Sequence, residues 1–403
     1  MSVEPIQMVI ERSDMKTSCN VCYSTGVASL AVIPHMPIDA NRLWDTAEDA
    51  RAASMATLDM RFCMVCGHLF NAAFDEKIVD YGDDYENSQM FSPRFAEFAS
   101  TLVEHLVEAY SLHGRNIVEI GGGKGDFLEM LCAFGNNRGT SIDPSYGDAS
   151  RACGTSGHLT FIRDYYSERY AGIPANFICC RHTLEHIWDA TAFLSTVRRA
   201  IGTERTPVYF EVPNGAHMLR SHMVADMIYA HCSYFTPSSL LQLFVQCGFN
   251  VKYIHEAFEG QFLSIGAVPV ERTEVRDHVS PRYTDLPSAV ADFREAFDSK
   301  VNYWNSLSRT VERKGERAIV WGAGAKTVMF LNALTSSDPF PYVVDISPRK
   351  TGRYISGTGH QIVAPDFLRT FRPEVILIAN PIYEAEIRTS TASFGLDPEY
   401  ILI

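Results

Sequence analysis

The sequence is short of three things, and each shortage removes a class of function. No uninterrupted apolar run approaches the length needed to cross a bilayer. No basic run or stripe occurs, and a net charge of −13 works against any partner held by phosphate neutralisation, as nucleic acids are. Residues 1–14 lack the charged-then-apolar pattern of a secretory signal. These absences point to a cytoplasmic protein acting on a small-molecule acceptor, with no membrane or nucleic-acid partner and no pattern that specifies an oligomer. With 403 residues and 46% hydrophobic content, the chain has material for two or three domains.

Ten cysteines are present, but their spacing argues against disulfides. Cys19-x-x-Cys22 and Cys63-x-x-Cys66 form two matched pairs, each able to place two thiolates on one metal from a tight turn. Two such turns complete a closed tetrahedral zinc site, whose role is folding rather than chemistry. Gly67 fits the second turn, and His35 and His68 stand near as alternative ligands. Cys132, Cys153, Cys179, Cys180, Cys232 and Cys247 sit mostly in apolar contexts and read as core thiols.

The chain is organised around residues 117–131, where a short apolar run ends in an acid, a glycine bend follows, and an apolar-periodic segment resumes. This spells strand, turn and helix. Glu119 stands ahead of Gly121-x-Gly123-x-Gly125. A carboxylate there repels a pyrophosphate and attracts an ammonium, which favours S-adenosylmethionine over NAD. Residues 138–143 read as a second strand ending in Asp143, placed to hold a ribose diol. A third strand ends at Asp164, positioned for the adenine amino group, and a fourth covers residues 176–180.

Ahead of this unit lies the polar, aromatic segment Tyr81-Gly-Asp-Asp-Tyr85, running on to Ser92. It reads as a lid or a surface loop, with Tyr85 and Ser88 facing the acceptor in the first case. A helix over Pro93–Tyr110 follows, its apolar face marked by Phe95, Phe98, Leu102, Leu106 and Tyr110. Beyond the fourth strand come Arg181, His182, Glu185 and His186. His182 and His186 are four residues apart, but Glu185 does not occupy the metalloprotease position and no third ligand is evident. His186 therefore reads as a polar contact or acid/base. A strand over 208–212 leads through Asn214 to Ile228, Tyr229, Ala230, His231 and Tyr234. Thr236 or Ser238 caps a helix over 240–247 that Gly248 ends. Strands 251–256 and 262–268 then form a late antiparallel pair about Glu259-Gly260-Gln261.

Residues 269–287 are charged, proline-bearing and aperiodic, which marks a linker. The helix after it carries Phe293, Phe297, Val301, Trp304, Leu307 and Val311 as one packing stripe. The closing segment repeats the strand, glycine turn and helix, at Gly322-Ala-Gly324, with a second strand ending in Asp345 and a later strand at residues 375–379. Thr327 occupies the place of the third glycine of a dinucleotide fingerprint, which argues against a working NAD site.

Taken together, the paired Cys-x-x-Cys motifs, Glu-x-Gly-x-Gly, the histidine after the fourth strand, Tyr-x-His-x-x-Tyr-Phe and the final Trp-Gly-Ala-Gly resemble the three-part deoxysugar C-methyltransferase family. The resemblance covers nearly the whole chain. It implies an α/β class I methyltransferase fold, a doubly wound sheet flanked by a zinc module (1–75) and a C-terminal Rossmann-like domain (316–403). The S-adenosylmethionine domain takes 76–268, and the linker and connecting helix take 269–315. In that family a tyrosine, a glutamate and two histidines handle the proton removed from the sugar carbon. His186 and His231 match the histidines and Tyr85 matches the aromatic lid. The glutamate falls on Ala230, and the tyrosine falls on Ile228 unless Tyr229 takes its place. Tyr165, Arg181 and Tyr85 complete the expected cofactor set. His182, Asn214, Tyr234, Gln261 and Lys326, with Gly322 and Gly324, are expected at the acceptor.

The missing glutamate bears on the chemistry. Methylation of carbon requires a base for a weak carbon acid, whereas a carboxylate is already ionised and needs only a clamp. Arg181, His182, His186, His231 and Gln261 can form such a clamp. The expectation is therefore O-methylation of a small acidic acceptor, with C-methylation of a nucleotide-linked keto-deoxysugar as the alternative. An NAD-dependent oxidoreductase and a non-catalytic S-adenosylmethionine-binding module are the readings outside methyl transfer.

Overall fold

The computed structural model describes residues 17–82, 84–146, 158–270 and 286–403. Cys153 and most of the expected linker lie outside them.

Three sheets organise the chain. The first contains β1 (Val27–Pro37), β2 (Met55–Cys63) and β3 (Leu69–Asn71), all antiparallel. The central sheet contains β4 (Asn116–Ile120), β5 (Arg138–Ile142), β6 (Leu159–Ile162), β7 (Phe177–Arg181) and β8 (Val208–Pro213). A two-residue strand, β9 (Ser233–Tyr234), leaves this unit and pairs with β3, so the N-terminal sheet borrows its edge from the loop that carries His231. The central sheet then closes with β10 (Phe249–Ala257) and β11 (Phe262–Pro269). The third sheet is five-stranded: β12 (Ala318–Trp321), β13 (Tyr342–Val344), β14 (Gln361–Val363), β15 (Val375–Ile378) and β16 (Glu399–Leu402).

Strand order in the central sheet is β10-β11-β8-β7-β4-β5-β6, with β11 antiparallel to both neighbours and the rest parallel. The order reverses at β4, where a crevice opens beyond the strand ends. β4 and β7 read Ile-Val-Glu-Ile and Phe-Ile-Cys-Cys and are buried on both faces, as a parallel strand covered by helices must be. The third sheet, in order β14-β13-β12-β15-β16, is parallel throughout and reverses at β12.

The helices follow their sequence signals. Ser92 caps Pro93–Tyr110 by accepting from the Phe95 amide at 3.2 Å, and Ser111 ends it at φ 52°. Thr236 caps the helix Pro237–Gln246, with Ser239 completing a reciprocal pair of cap bonds. The long helix Leu286–Lys314 buries Phe293, Trp304 and Val311 in a core shared with β1 and the third sheet. Among the described residues, no helix is long and apolar enough to cross a membrane.

Candidate active site

The four cysteines meet. Cys19 Sγ lies 3.6 Å from Cys66 Sγ, and Cys22 Sγ lies 3.5 Å from Cys63 Sγ. All four sulfurs are within 4.8 Å of one another. Tetrahedral zinc–thiolate bonds of about 2.3 Å put sulfurs about 3.8 Å apart, so the donor set fits such an ion. Each turn is closed by a left-handed residue directly after its second cysteine, Tyr23 (φ 59°) and Gly67 (φ 75°). Neither alternative ligand belongs to this cluster. His35 is exposed, and His68 is buried against Phe235, where desolvation pushes its imidazole down to about 3.

A cavity of about 650 Å³ opens where the three sheets converge, a size suited to a cofactor and a substantial acceptor. At its first end the loop after β4 binds back on the sheet. The Gly123 amide donates to Asp143 Oδ2 at 2.8 Å, while Ser145 donates to Asp143 Oδ1 through both its amide and its hydroxyl. A Cβ on Gly121, at φ +73°, would lie 1.9 Å from Thr183 Oγ1, so the bend has no room for another residue. Glu119, Gly121, Gly123, Asp143, Tyr85, Tyr165 and Arg181 all line the cavity.

Two expected cofactor contacts need correction. Asp164 is outside the lining, because Tyr170 and Arg169 hold its carboxylate. Gly125, at φ +84°, is also outside; it caps the following helix beneath Phe161, and its freedom serves the turn.

Glu119 is 2% exposed and accepts from Ser141 Oγ at 3.2 Å. Burial pushes its carboxyl up to about 7, partly opposed by the nearby Arg181 guanidinium. An unfolded glutamate titrates near 4.3, so between that pH and about 7 the folded chain binds more protons than the unfolded one. The contribution of Glu119 to stability therefore falls as pH rises across that window. Binding of an ammonium beside it has the opposite dependence. Affinity for S-adenosylmethionine is expected to rise between pH 6 and pH 7.5, and in Glu119→Gln to be weaker and nearly flat with pH, both measured by isothermal titration. Asp143→Ala removes the clasp of the glycine bend and the carboxylate that the sequence places for the ribose. It is expected to weaken cofactor binding by about 10- to 100-fold, since a hydrogen bond to a charged group contributes about 1.5–3 kcal/mol. Unchanged affinity would refute the assignment.

The middle of the cavity holds imidazoles. His186 Nδ1 lies 3.0 Å from the Ala230 carbonyl and 3.0 Å from the Tyr81 hydroxyl, and its ring stands 4.8 Å from that of His231. A carbonyl only accepts, so Nδ1 carries the proton and Nε2 keeps a free lone pair. Burial pushes His186 down to about 4, and burial with two neighbouring histidines pushes His231 well below its ordinary value. Both rings are neutral at physiological pH and can accept a proton.

Tyr229 departs from expectation. Its hydroxyl donates to the Ala73 carbonyl at 3.1 Å and accepts from the Asp75 amide at 3.0 Å, outside the cavity, where it braces the N-terminal module. Ile228 lines the wall as an apolar residue. The tyrosine that meets the histidine is Tyr81, four residues before Tyr85 and edge-on to it at 5.5 Å. The lid segment contained the signal, but the spacing alone did not say which tyrosine turns inward. Ser88 donates to Asp126 at 3.0 Å and also lines the cavity.

The expected acceptor-side residues all line the cavity, but most are engaged elsewhere. Arg181 donates twice to Glu211, at 2.9 and 2.7 Å, and His182 Nε2 stands 3.1 Å from the same carboxylate. Burial pushes Glu211 up, yet Arg181 and His182 outweigh it and hold the carboxyl at about 2. Asn214 caps the helix Gly215–Arg220 and donates to Gly260 O. The Tyr234 hydroxyl closes on the backbone of Ile228. Gln261 and Asn380 exchange amide hydrogen bonds at 2.9 and 3.1 Å, joining the second and third sheets.

Lys326 pairs with Asp226 across the same junction. Burial pushes its ammonium down to about 7, but the adjoining carboxylate favours the charged form, and the contact is best described as an ion pair. Asp226, Lys350 and Asn380 were not singled out from sequence, since each acquires meaning only when the third sheet docks, and Asp345 was read only as the end of a strand. There the turn after β12 repeats the first: the amides of Ala323 and Ser347 both donate to Asp345 at 2.8 Å. Gly322, Gly324 and Lys326 also line the cavity.

Residues 91–254 match the methyltransferase domain family, and residues 278–397 match the C-methyltransferase C-terminal domain family. The chain is an S-adenosylmethionine-dependent methyltransferase. The methyltransferase also resembles the C-methyltransferase NovU of Streptomyces niveus, with 24% identity over 93% of this chain and 92% of that one. Fold neighbours include an S-adenosylmethionine-dependent methyltransferase from Aquifex aeolicus (15% identity, 45% of this chain and 96% of that one, TM-score 0.35). Another is magnesium protoporphyrin IX methyltransferase from Synechocystis with bound S-adenosylhomocysteine (15% identity, 44% and 84%, TM-score 0.34). Both are too distant to bear on the acceptor.

Proposed function

We propose that the protein methylates carbon on a nucleotide-linked keto-deoxysugar. The observation that carries the reading is the pair His186 and His231, two neutral imidazoles 4.8 Å apart in the middle of a cavity with a glycine turn at either end. A proton taken from carbon needs a base of that kind within reach. The C-methyltransferase likeness over nearly the whole chain supports the same chemistry.

Carboxylate O-methylation, favoured by the sequence, fits less well. Its clamp depended on Arg181, His182, His186, His231 and Gln261. The first two are committed to Glu211, Gln261 is committed to Asn380, and the remaining imidazoles are neutral. A carboxylate would meet little free positive charge there.

In this reading Glu119 faces the donor's ammonium and Asp143 its ribose, Tyr85 and Tyr165 cover it, and His231 or His186 takes the acceptor's proton. S-adenosylmethionine supplies the electrophilic methyl group, which the carbon nucleophile takes as the sulfur–methyl bond breaks and its electron pair stays on sulfur. Gly322, Gly324 and Lys326 hold the acceptor's nucleotide end. The four cysteines hold one structural zinc ion. The test is mass spectrometry of nucleotide keto-sugars against small dicarboxylic acids, followed by mild alkali. A methylated keto-sugar that survives alkali supports the reading; an alkali-labile ester of a dicarboxylic acid refutes it.

A further inference from the structure

Removing a proton beside a carbonyl needs two groups at one place, a base for the proton and a donor for the oxygen that gains charge. The imidazoles meet the first need and leave the second open. Glu185 lies in the short turn Leu184–His186 that follows β7. Its side chain borders the cavity although the residue is only 1% exposed. One ligating atom each of Glu185, His186 and His231 lies within 4.8 Å of the others. Glu185 Oε1 is 3.8 Å from His182 Nδ1, and Oε2 has no hydrogen-bond partner among the described residues. A buried polar atom left in that state costs about 1–3 kcal/mol, and more when charged. Such a cost is retained where an incoming ligand supplies the partner.

The protonation state follows from the surroundings. Among the described residues, no lysine or arginine forms an ion pair with Glu185. Burial, with Glu211 nearby, pushes its carboxyl up to about 8. The cluster thus rests as one carboxylic acid and two neutral imidazoles, an acid and bases side by side.

We propose that Glu185 is a catalytic residue which, as a neutral carboxylic acid, donates a hydrogen bond to the acceptor's carbonyl oxygen while the neighbouring carbon is deprotonated. The inference rests on the carbon-methylation reading and adds an oxyanion donor to it. In the step, the C–H bond breaks and the proton passes to an imidazole nitrogen of His231 or His186. The electron pair left on carbon forms the new carbon–carbon double bond, the carbonyl π pair moves onto oxygen, and the Glu185 O–H holds that oxygen. The step needs no oxidant or reductant.

The test uses the full-length protein, S-adenosylmethionine and a thymidine-diphosphate-linked 4-keto-deoxyhexose. Turnover is read together with loss of α-deuterium to water in the presence of S-adenosylhomocysteine. Glu185→Gln keeps a neutral donor of nearly the same shape; Glu185→Ala removes it. Loss of one such donor lowers rates by about 10²–10³-fold. Glu185→Ala is expected to lose that much in both readouts, Glu185→Gln to stay within about tenfold of wild type, and both to bind S-adenosylmethionine normally. Equal large losses in the two variants would overturn the inference by making the carboxylate itself necessary. So would full activity in Glu185→Ala, or a divalent ion beyond the four-cysteine site that disappears in Glu185→Gln. A wild-type protein that neither methylates the keto-sugar nor exchanges its deuterium would overturn the carbon-methylation reading, and this inference with it.

Discussion

Replacing His231 with asparagine is expected to lower turnover by about 10²–10⁴-fold, the range contributed by a positioned general base, while affinity for S-adenosylmethionine stays unchanged. The ring lines the cavity, 4.8 Å from His186 and 5.7 Å from Tyr234. Burial and the neighbouring histidines push its imidazole well below the ordinary value, and a neutral ring can accept a proton but offers no charge. Asparagine preserves polarity and much of the shape but cannot take up a proton. If the enzyme instead esterified a carboxylate, the same substitution would weaken acceptor binding and leave turnover at saturation nearly intact. Steady-state kinetics separate the two: a fall in kcat at constant KM follows from carbon methylation, and a rise in KM at constant kcat contradicts it.

Cys19→Ser is expected to release the metal and to destabilise the chain by more than about 4 kcal/mol, the class of loss associated with removing a structural metal. Cys19 is fully buried, and its sulfur is one corner of the cluster. A serine hydroxyl does not ionise near neutrality and makes a poor ligand, leaving three thiols crowded around an incomplete site. The damage should reach the active site. The second turn leads from Cys66 into β3, and β3 pairs with β9, two residues beyond His231. Metal analysis by mass spectrometry should fall from one equivalent per chain, with the melting temperature and turnover falling alongside. Full metal content with unchanged melting would refute the structural role.

Much of this was legible in the chain itself, for identifiable reasons. A glycine bend after a buried strand, with an acid before it and another at the next strand end, is a local pattern, and it specified Glu119, Gly121, Gly123 and Asp143 as cavity residues. Paired cysteines are likewise local, and the four came together as spaced. The helix Pro93–Tyr110 and the helix Leu286–Lys314 announced themselves by periodicity.

What escaped was non-local. Asp164 lies two residues beyond the end of its strand, and Arg169 and Tyr170 fold back and claim its carboxylate. Tyr229 and Tyr81 are both aromatic residues near a histidine in sequence or space. The pairing of β9 with β3 turns Tyr229 towards Ala73 and leaves Tyr81 to meet His186. The residues read as a free cationic clamp became partners of Glu211 and Asn380, contacts that exist only once β7 and β8 pair and the third sheet docks. Ala230 suggested that the site had lost its carboxyl group. Glu185, beside His186 in sequence, stands in the same cluster.

The most direct test of carbon methylation is nuclear magnetic resonance of the product formed from methyl-¹³C S-adenosylmethionine and a uniformly ¹³C-labelled nucleotide keto-deoxysugar. A new methyl signal split by one-bond coupling to a ring carbon is the predicted result. A methyl signal lacking that coupling, as in a methyl ether or ester, would contradict it.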